Sequence, residues 1–558
     1  MSDYKLANIR KKELKLSKKR EEILKLEPDA AIDSILSSLQ PATLIQSFPS
    51  QDLYFLMHSI GGEDFIPVLS LSSSEQWEYI LDMDIWKDYK PDITNMTKVL
   101  SLLFQADSKR LMRWFVKEKV DLLEYYFLKN MEIRIREHDD VPPDEDDFLT
   151  FDDKFYFRFP ETQADEKEKP VQQLITDMLE SVAKMDISVF HALLLETCSV
   201  LAPEVEEEQF RLKNVRLAEK GFLPAHEAVG IYQPISSHKL KKRPVGKKES
   251  YNPDIPMVLH HTYQFIKEDN LFAATLKQLG NAALLDLQIE FVSIVNKIIS
   301  ADKIKIRARQ DLEKVIEKAC GYLSVGIEKL NKKNPELVVE KYFLEDIFRA
   351  GSREILRLGQ KVNKWHKNSF SNKNNLPLSF LDERWLGVVG GLMLARPLFF
   401  DSANAEESYR NFKSLQETFD AAEEIEKIIA TDNILKKMDV DVQSFSRGIL
   451  TYKSLFFTLW AKTRMNLEDS LSPIPVNEFR KFFTALFLNN DNKEFKSHAI
   501  KKEDFLLWIS ETSKIDRGRI PENFILVVNE MFDEIEDEYG SVNPNDLDFR
   551  LIHHFLLM

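Results

Sequence analysis

A period of twelve residues near the N-terminus constrains the fold of this chain more than any other feature of its sequence. The segments Ser50–Leu53, Gly62–Phe65 and Ser74–Trp77 fall in register, and each begins with a helix breaker or a polar helix start. Apolar residues follow at matching positions, namely Leu56, Val68, Ile80 and, one position later, Met57, Leu69, Leu81. A helix of about nine residues cannot bury its own apolar stripe, so the pattern predicts a stack of short helices.

The composition predicts a mainly α fold, because glycine is scarce (16 of 558 residues) and long stretches are rich in Leu, Lys, Glu and Phe. We expect an α-solenoid-like N-terminal stack followed by larger helical domains. The predicted parts are a charged leader helix over 1–30, a short-helix repeat domain over 31–130, an acidic linker over 131–170, a middle helical domain over 171–305 and a C-terminal helical domain over 306–558.

Within the acidic linker, two aromatic-rich pieces flank Asp152 and Asp153. This arrangement predicts one small β-hairpin near 148–159. Because Phe155, Phe157 and Phe159 alternate with Tyr156 and Arg158, we expect one apolar face that docks against the helices.

Charge, cysteine content and hydropathy together predict a cytoplasmic protein. The net charge is −15, and two cysteines cannot cross-link 558 residues, so a reducing compartment is favoured. The longest apolar run, Leu386–Ala395, is far shorter than the about 20 residues that a membrane span needs. We therefore predict no membrane span, and an acidic chain makes nucleic acid an unfavoured partner.

Two groups of side chains are candidates for binding. The first is a basic stretch with a basic loop over 236–250, which could form a surface for an anion or a partner: Arg211, Arg216, Lys220, Lys241, Lys242, Arg243. An intramolecular pairing of this stretch with the acidic 137–170 segment is the interpretation that we favour. The second group is Arg396, Arg410 and Trp385, which could hold an anionic ligand near the end of an apolar helix.

No motif in the chain indicates a catalytic residue, a cofactor or a metal. Gly387, Gly390 and Gly391 have the wrong spacing for a dinucleotide-binding loop, and close packing of a helix explains them better. We therefore predict no cofactor, and whether any catalytic activity exists stays open.

The repeat segments resemble the cytoplasmic N-terminal helical domain of MgtE-type magnesium transporters over about 80 residues. The membrane span and regulatory modules of those transporters have no counterpart here, so transport is not implied. Over most of its length, the chain resembles an uncharacterised bacterial family of unknown function, on the Phe148–Pro160 segment and the Gly221–Tyr232 segment. This resemblance implies a bacterial cytoplasmic protein and no particular activity.

Three functions remain open from the sequence. The first is a non-enzymatic helical scaffold or adaptor that binds an unidentified protein partner through a groove along the 31–130 helices. The second is an enzyme or small-molecule sensor with a pocket between helical domains. The third is nucleic-acid binding through the basic 211–248 region. The oligomeric state is not indicated.

Overall fold

The computed structural model describes residues 12, 15–20, 22–24, 26–136, 148–160, 169–243, 270–279, 281–307, 309–404, 408–438, 440–442, 450–467, 471–487, 499–540, 542 and 548–558. The acidic run at 139–147 and the second part of the predicted basic loop, 244–250, lie outside the described residues.

The described residues form two compact units. The first lies within Met1–Ile231 and Gly280–Ala319, and the second within Tyr232–Arg243, Glu268–Leu279 and Cys320–Met558.

The described part of the first unit is mainly helical, as predicted, and the five helices between Pro28 and Asp84 are short. Its helices are Pro28–Leu36, Pro41–Gln46, Ser50–Ile60, Ile66–Leu71, Ser74–Asp84, Ile93–Glu118, Val120–Asn130, Lys169–Met185, Ile187–Thr197, Ala202–Glu219, Ala225–Ala228 and Asn281–Ala301. A two-stranded ribbon, Trp86–Lys87 with Lys90–Pro91, follows the short helices. Alternate short helices pack together, so Ser50–Ile60 contacts Ser74–Asp84.

Two of the three repeat segments begin their helices where the period of twelve predicts. Helices start at Ser50 and Ser74, and Ser73 forms a capping box with Gln76. In the middle copy, Gly62–Phe65 is a turn and the helix begins only at Ile66. Pro67 explains the delay, because proline lacks an N–H and is tolerated only in the first turn of a helix.

The helix Ile93–Glu118 is in effect two helices joined at Asp107, whose backbone is not helical (φ −162°, ψ 89°). The Asp107 carboxylate accepts a hydrogen bond from the backbone N–H of Arg110 at 3.0 Å, as an N-cap does. Apolar residues of the second half, Leu111 and Phe115, are fully buried. The short-helix pattern therefore continues beyond the three copies that are in exact phase.

The predicted hairpin is present but belongs to a three-stranded antiparallel sheet. Strands Leu149–Thr150 and Phe155–Arg158 form the hairpin, and Glu132–Ile135 pairs with the other edge of Phe155–Arg158. This third strand was not predicted, although Ile133 and Ile135 alternate with charged residues. The expected apolar face is confirmed, because Phe155 and Phe157 lie in the core of the first unit and Phe159 packs against it. Tyr156, on the other face, is buried as well. Both faces of the strand Phe155–Arg158 are therefore covered, and the alternation of apolar with polar residues did not predict the burial of the second face.

The second unit is built from longer helices and a second small ribbon. Its helices are Leu271–Gln278, Pro335–Lys341, Leu344–His366, Phe370–Lys373, Asp382–Met393, Leu415–Leu435, Tyr452–Arg464, Val476–Phe487, Ala499–Ser513 and Glu522–Tyr539. The helix Arg309–Asn331 has its first part in the first unit and its second part in the second unit. Strands Phe399–Phe400 and Tyr409–Arg410 pair antiparallel.

Aromatic rings dominate the last four of these helices. Phe457, Trp460, Phe505 and Phe532 lie with ring centroids 5.4–6.3 Å apart in edge-on and tilted contacts. Such contacts stabilise a core beyond the burial of area alone. Phe479 packs on Phe555, with ring centroids 4.8 Å apart, next to the same core.

Among the described residues, no single helix is both long and apolar enough to cross a membrane. One pair, Ile187–Thr197 with Ala202–Glu219, passes together by length and composition, but its two helices are bent by 109°.

Adjacent glycines at the first repeat boundary offer a matched test of this fold. Gly61 ends the helix Ser50–Ile60 with φ +113°, a conformation that L side chains rarely adopt, whereas Gly62 has no positive φ. We expect Gly61→Ala to lower the free energy of unfolding by about 1–3 kcal/mol because of backbone strain. Gly62→Ala meets only the flexible end of Leu102 and should cost less than about 1 kcal/mol. Urea unfolding of both variants measures the difference, and equal costs would contradict the assigned turn.

Candidate functional site

A groove in the first unit runs along the repeat helices and has an apolar floor. Its volume is about 270 Å³. The floor comes from three successive repeat helices and from the helix Ile93–Glu118, and its residues are Met57, Leu69, Ile80, Val99, Leu102 and Leu103. Gly62 also lines this space, next to the side chain of Leu102. We call this feature the repeat groove.

One wall of the repeat groove carries a hydrogen-bonded group of three side chains. Asp84, the last residue of its helix, accepts a hydrogen bond from the Tyr54 hydroxyl at 2.7 Å. Nε2 of His58 lies 3.1 Å from the other Asp84 oxygen. The Tyr54 and His58 rings pack edge-on, with centroids 4.5 Å apart. This network links the helix Ser50–Ile60 to the helix Ser74–Asp84.

The electrostatics of the wall favour a charged Asp84. Burial by itself would raise the pKa of Asp84, but hydrogen bonds from His58 and Tyr54 and the nearby Arg307 charge hold that pKa below its usual value. Burial and the Asp84 charge raise the pKa of Tyr54 far above its usual range. Tyr54 is therefore a permanent donor to the Asp84 carboxylate at physiological pH.

The rim of the repeat groove adds cationic and amide groups. Asn95, Lys98 and Leu102 share one face of the helix Ile93–Glu118 at helical spacing, and Arg307 reaches the groove from the segment after the helix Asn281–Ala301. Lys98 and Arg307 are exposed. Lys98 and Arg307 carry two positive charges against the single Asp84 carboxylate in the groove lining, so the rim offers an excess of positive charge to an incoming group.

This arrangement can bind a group that is apolar at one end and anionic at the other. The floor removes apolar surface from water, while Lys98 and Arg307 can pair with a carboxylate or phosphate. Nε2 of His58 contacts Asp84, and this contact fixes the orientation of the His58 imidazole ring. Nδ1, the other nitrogen of that ring, does not take part in the contact.

The repeat pattern contains the floor residues Met57, Leu69 and Ile80 as apolar positions, but none of the polar groove residues was identified from the sequence. One signal was present in the repeat itself, because Asp84 occupies the register position that holds Ile60 and Ser72 in the earlier copies. A carboxylate at such a position departs from the repeat pattern. Arg307 lies more than 200 residues away in the chain and carries no comparable local signal.

The structure pairs Arg216 and Lys220 with acidic residues of a repeat helix. Arg216 forms two hydrogen bonds of 2.7 and 2.8 Å to Asp82, and Lys220 contacts Glu75 at 2.9 Å. Arg216 also lies 3.3 Å from Glu78, which shares a helix face with Asp82 and Glu75. We call this set the charged seam.

Among the described residues, the acidic partners of Arg216 and Lys220 lie on the helix Ser74–Asp84. The pairing with the 137–170 segment stays a prediction, because most acidic residues of that segment lie outside the described residues. Arg211 pairs with Glu208 on its own helix. The spacing of the basic residues was visible in the sequence, but their partner lies 134 residues away.

The remaining basic candidates lie in the second unit, where the backbone of Lys241 and Lys242 and the side chain of Arg243 form contacts, while the side chains of Lys241 and Lys242 are exposed. The backbone N–H of Lys241 donates to Asp346 at 2.7 Å, and Lys242 forms a β-bridge with Tyr342. The Arg243 guanidinium donates to the carbonyl oxygens of Val339 and Tyr342 at the end of the helix Pro335–Lys341. Such contacts stabilise a helix C-terminus.

The ligand candidates predicted in the second unit, Arg396, Arg410 and Trp385, each contact a different set of partners. Arg396 stacks over the ring of Tyr232, 3.8 Å from its centroid. Arg410 pairs with Asp401 at 2.9 Å and with Glu417 at 2.8 Å. Trp385 stacks on Tyr452 with centroids 4.4 Å apart, and its indole N–H donates to Glu424 at 3.1 Å.

The chain matches the model of the family described as "Family of unknown function (DUF6178)" over residues 8–558 and belongs to that family. Comparison with curated proteins and with solved structures finds no match. These comparisons do not support the resemblance of the repeats to MgtE-type transporters.

Replacing Asp84 by Asn tests the wall of the repeat groove. The pKa of Asp84 is lower in the folded protein than its usual value, so the charged carboxylate stabilises the fold at any pH above that usual value. This stabilisation is lost as the pH falls through the lowered pKa of the folded state. Asp84→Asn should therefore lower the free energy of unfolding by about 2 kcal/mol at pH 7. The deficit should shrink as the pH approaches 3. Asp88→Asn, which removes an exposed carboxylate paired with Lys303, is the control and should change stability little.

The charged seam generates a second stability test. Asp82 is 4% exposed, and burial raises its pKa while Arg216 opposes that effect. Arg216→Met leaves this carboxyl buried without its bidentate partner and should cost about 2–3 kcal/mol. Arg211→Met, on the same helix but at an exposed pair, should leave stability nearly unchanged. Chemical unfolding at pH 7 compares the two, and similar costs would mean that the seam does not stabilise the fold.

Proposed function

We propose that the protein is a non-enzymatic helical scaffold whose repeat groove binds a segment of a protein partner. The observation that carries this proposal is the combination of an apolar floor with two exposed cations at its rim. Stacked short helices commonly form extended binding surfaces of this kind. The groove lies along the 31–130 helices, where the scaffold hypothesis expects its binding surface.

The chemistry of the groove defines the segment that it would accept. An apolar side chain of the partner would occupy the floor beside Leu69 and Leu102. A carboxylate next to that side chain, from Asp, Glu or a chain terminus, would pair with Lys98 and Arg307. A volume of about 270 Å³ suits one or two side chains and is small compared with the pockets of about 300–1,000 Å³ that hold drug-sized ligands.

One observation favours the alternative of an enzyme or a small-molecule sensor. The contact between His58 and Asp84 resembles the base-and-orienting-carboxylate pairs of many active sites. In that alternative, a free carboxylate or phosphate compound would occupy the groove instead of a peptide. Nucleic-acid binding is less favoured, because Arg216, Lys220 and Arg211 are already paired with carboxylates of the same chain.

Peptide selection with a charge-reversal variant tests the scaffold proposal. Random peptides would be selected on the full chain, and the enriched sequences would be synthesised for fluorescence anisotropy. We expect enriched peptides to place a carboxylate within two residues of a large apolar side chain. Lys98→Glu should weaken their binding by about tenfold, since one close charge is reversed.

Lys117→Glu is the matched control, because Lys117 is exposed on the same helix and outside the groove lining. Its affinity should stay within about twofold of the native chain. Enrichment of peptides without carboxylates, or equal effects of the two substitutions, would contradict the proposal. Hexanoate that binds at the groove more tightly than any selected peptide would favour the small-molecule alternative.

A further inference from the structure

The second unit contains a separate cleft of about 380 Å³. It lies between the helices Asp382–Met393 and Leu415–Leu435, next to the ribbon of Phe399–Phe400 and Tyr409–Arg410. The ribbon approaches the helix closely because Gly387 has no side chain, and a Cβ there would lie 2.5 Å from the Phe400 ring. We call this feature the aromatic cleft.

Phenylalanine rings form the apolar part of the aromatic cleft. Phe399 and Phe400 are partly exposed, and Phe412 is buried beneath them, with its ring centroid 5.6 Å from that of Phe399. The Arg410 guanidinium lies over the Phe399 ring, 4.6 Å from the centroid. The fold itself therefore places a guanidinium against this aromatic surface, as cation–π attraction favours.

The helix Leu415–Leu435 supplies the opposite wall with carboxylates. Glu424 is engaged by Arg384 at 2.7 Å and by Lys427 at 3.1 Å, and Lys427 also contacts Glu530 at 2.7 Å. Asp420 and Glu423 are exposed and line the same cleft.

The partners of Asp420 and Glu423 leave most of their charge uncompensated. Asp420 accepts a hydrogen bond from the neutral amide of Gln416, and Glu423 lies 3.9 Å from Lys427. With Glu424 and Glu530, four carboxylates surround the two cations Arg384 and Lys427.

We infer that the aromatic cleft binds an alkyl guanidinium or alkyl ammonium group. The alkyl stem would pack on Phe399 and Phe400, while the cationic head would pair with Asp420 and Glu423. These two carboxylates are one helical turn apart, so a planar guanidinium can contact both. An anion would meet the excess of negative charge and is disfavoured. The same chemistry occurs in free guanidines and amines and in Arg or Lys side chains of a protein.

A pair of near-isosteric probes tests the requirement for charge. Calorimetric titration of the full chain would compare n-butylguanidine with neutral n-butylurea at low ionic strength. We expect n-butylguanidine to bind with a dissociation constant of about 1 mM and n-butylurea at least about tenfold more weakly. Equal affinities, or no heat of binding with either probe, would overturn the inference.

Substitutions then locate the site. Asp420→Asn and Glu423→Gln together should weaken n-butylguanidine binding by about fivefold or more. Glu426→Gln is the control, since Glu426 lies on the same helix, pairs with Lys361 and is outside the cleft lining. It should leave the affinity within about twofold. If Glu426→Gln weakens binding as much as the double variant, the effect is one of overall charge and the assigned site is wrong.

A last comparison distinguishes the two sources of the cation. Acetyl-Ala-Arg-Ala-amide that binds more tightly than n-butylguanidine and depends on Asp420 and Glu423 would indicate a protein side chain. Weaker binding of the peptide would indicate a free small molecule. This test involves residues of the second unit alone, so its result does not depend on the repeat groove.

Discussion

Short helices cannot bury their own apolar faces, and the N-terminal part of this chain depends on that constraint. Each repeat helix supplies an apolar stripe, and the neighbouring helices cover it until residues such as Leu69, Trp77 and Phe65 lose all contact with water. Burial of this kind contributes roughly 1.5–3 kcal/mol for each large side chain. The helices must therefore lie in one arrangement, which also fixes the position of the polar groups between them.

Gln76 shows how polar groups lock that arrangement. Its amide N–H groups donate to the carbonyl oxygens of Ile45 and Phe48 at 2.9 Å, while its oxygen accepts the backbone N–H of Ser73. One buried side chain thus caps its own helix and satisfies the end of an earlier one. The Asp84 network has the same effect over a similar separation in sequence, and the charged seam has it over 134 residues, because a buried polar group is stable only with a partner.

The repeat groove and the aromatic cleft arise where this packing is incomplete. In the first unit, Gly62 allows the Leu102 side chain to approach closely, and the rim cations Lys98 and Arg307 remain exposed. In the second unit, the aromatic ribbon lies against the glycine face of a helix and leaves a cleft facing Asp420. The linings of the two sites carry opposite excess charge: cations at the rim of the repeat groove and carboxylates along the aromatic cleft.

Local spacing in the sequence determined the helical class, the helix starts at Ser50 and Ser74, and the hairpin around Asp152. These features depend on residues a few positions apart, whose geometry the backbone fixes directly. Only the tertiary structure decided that Arg216 pairs with Asp82, that Glu132–Ile135 joins the sheet, and that His58 meets Asp84. Such partners are chosen by packing between helices and strands distant in sequence, so the charge or spacing of either residue alone could not identify them.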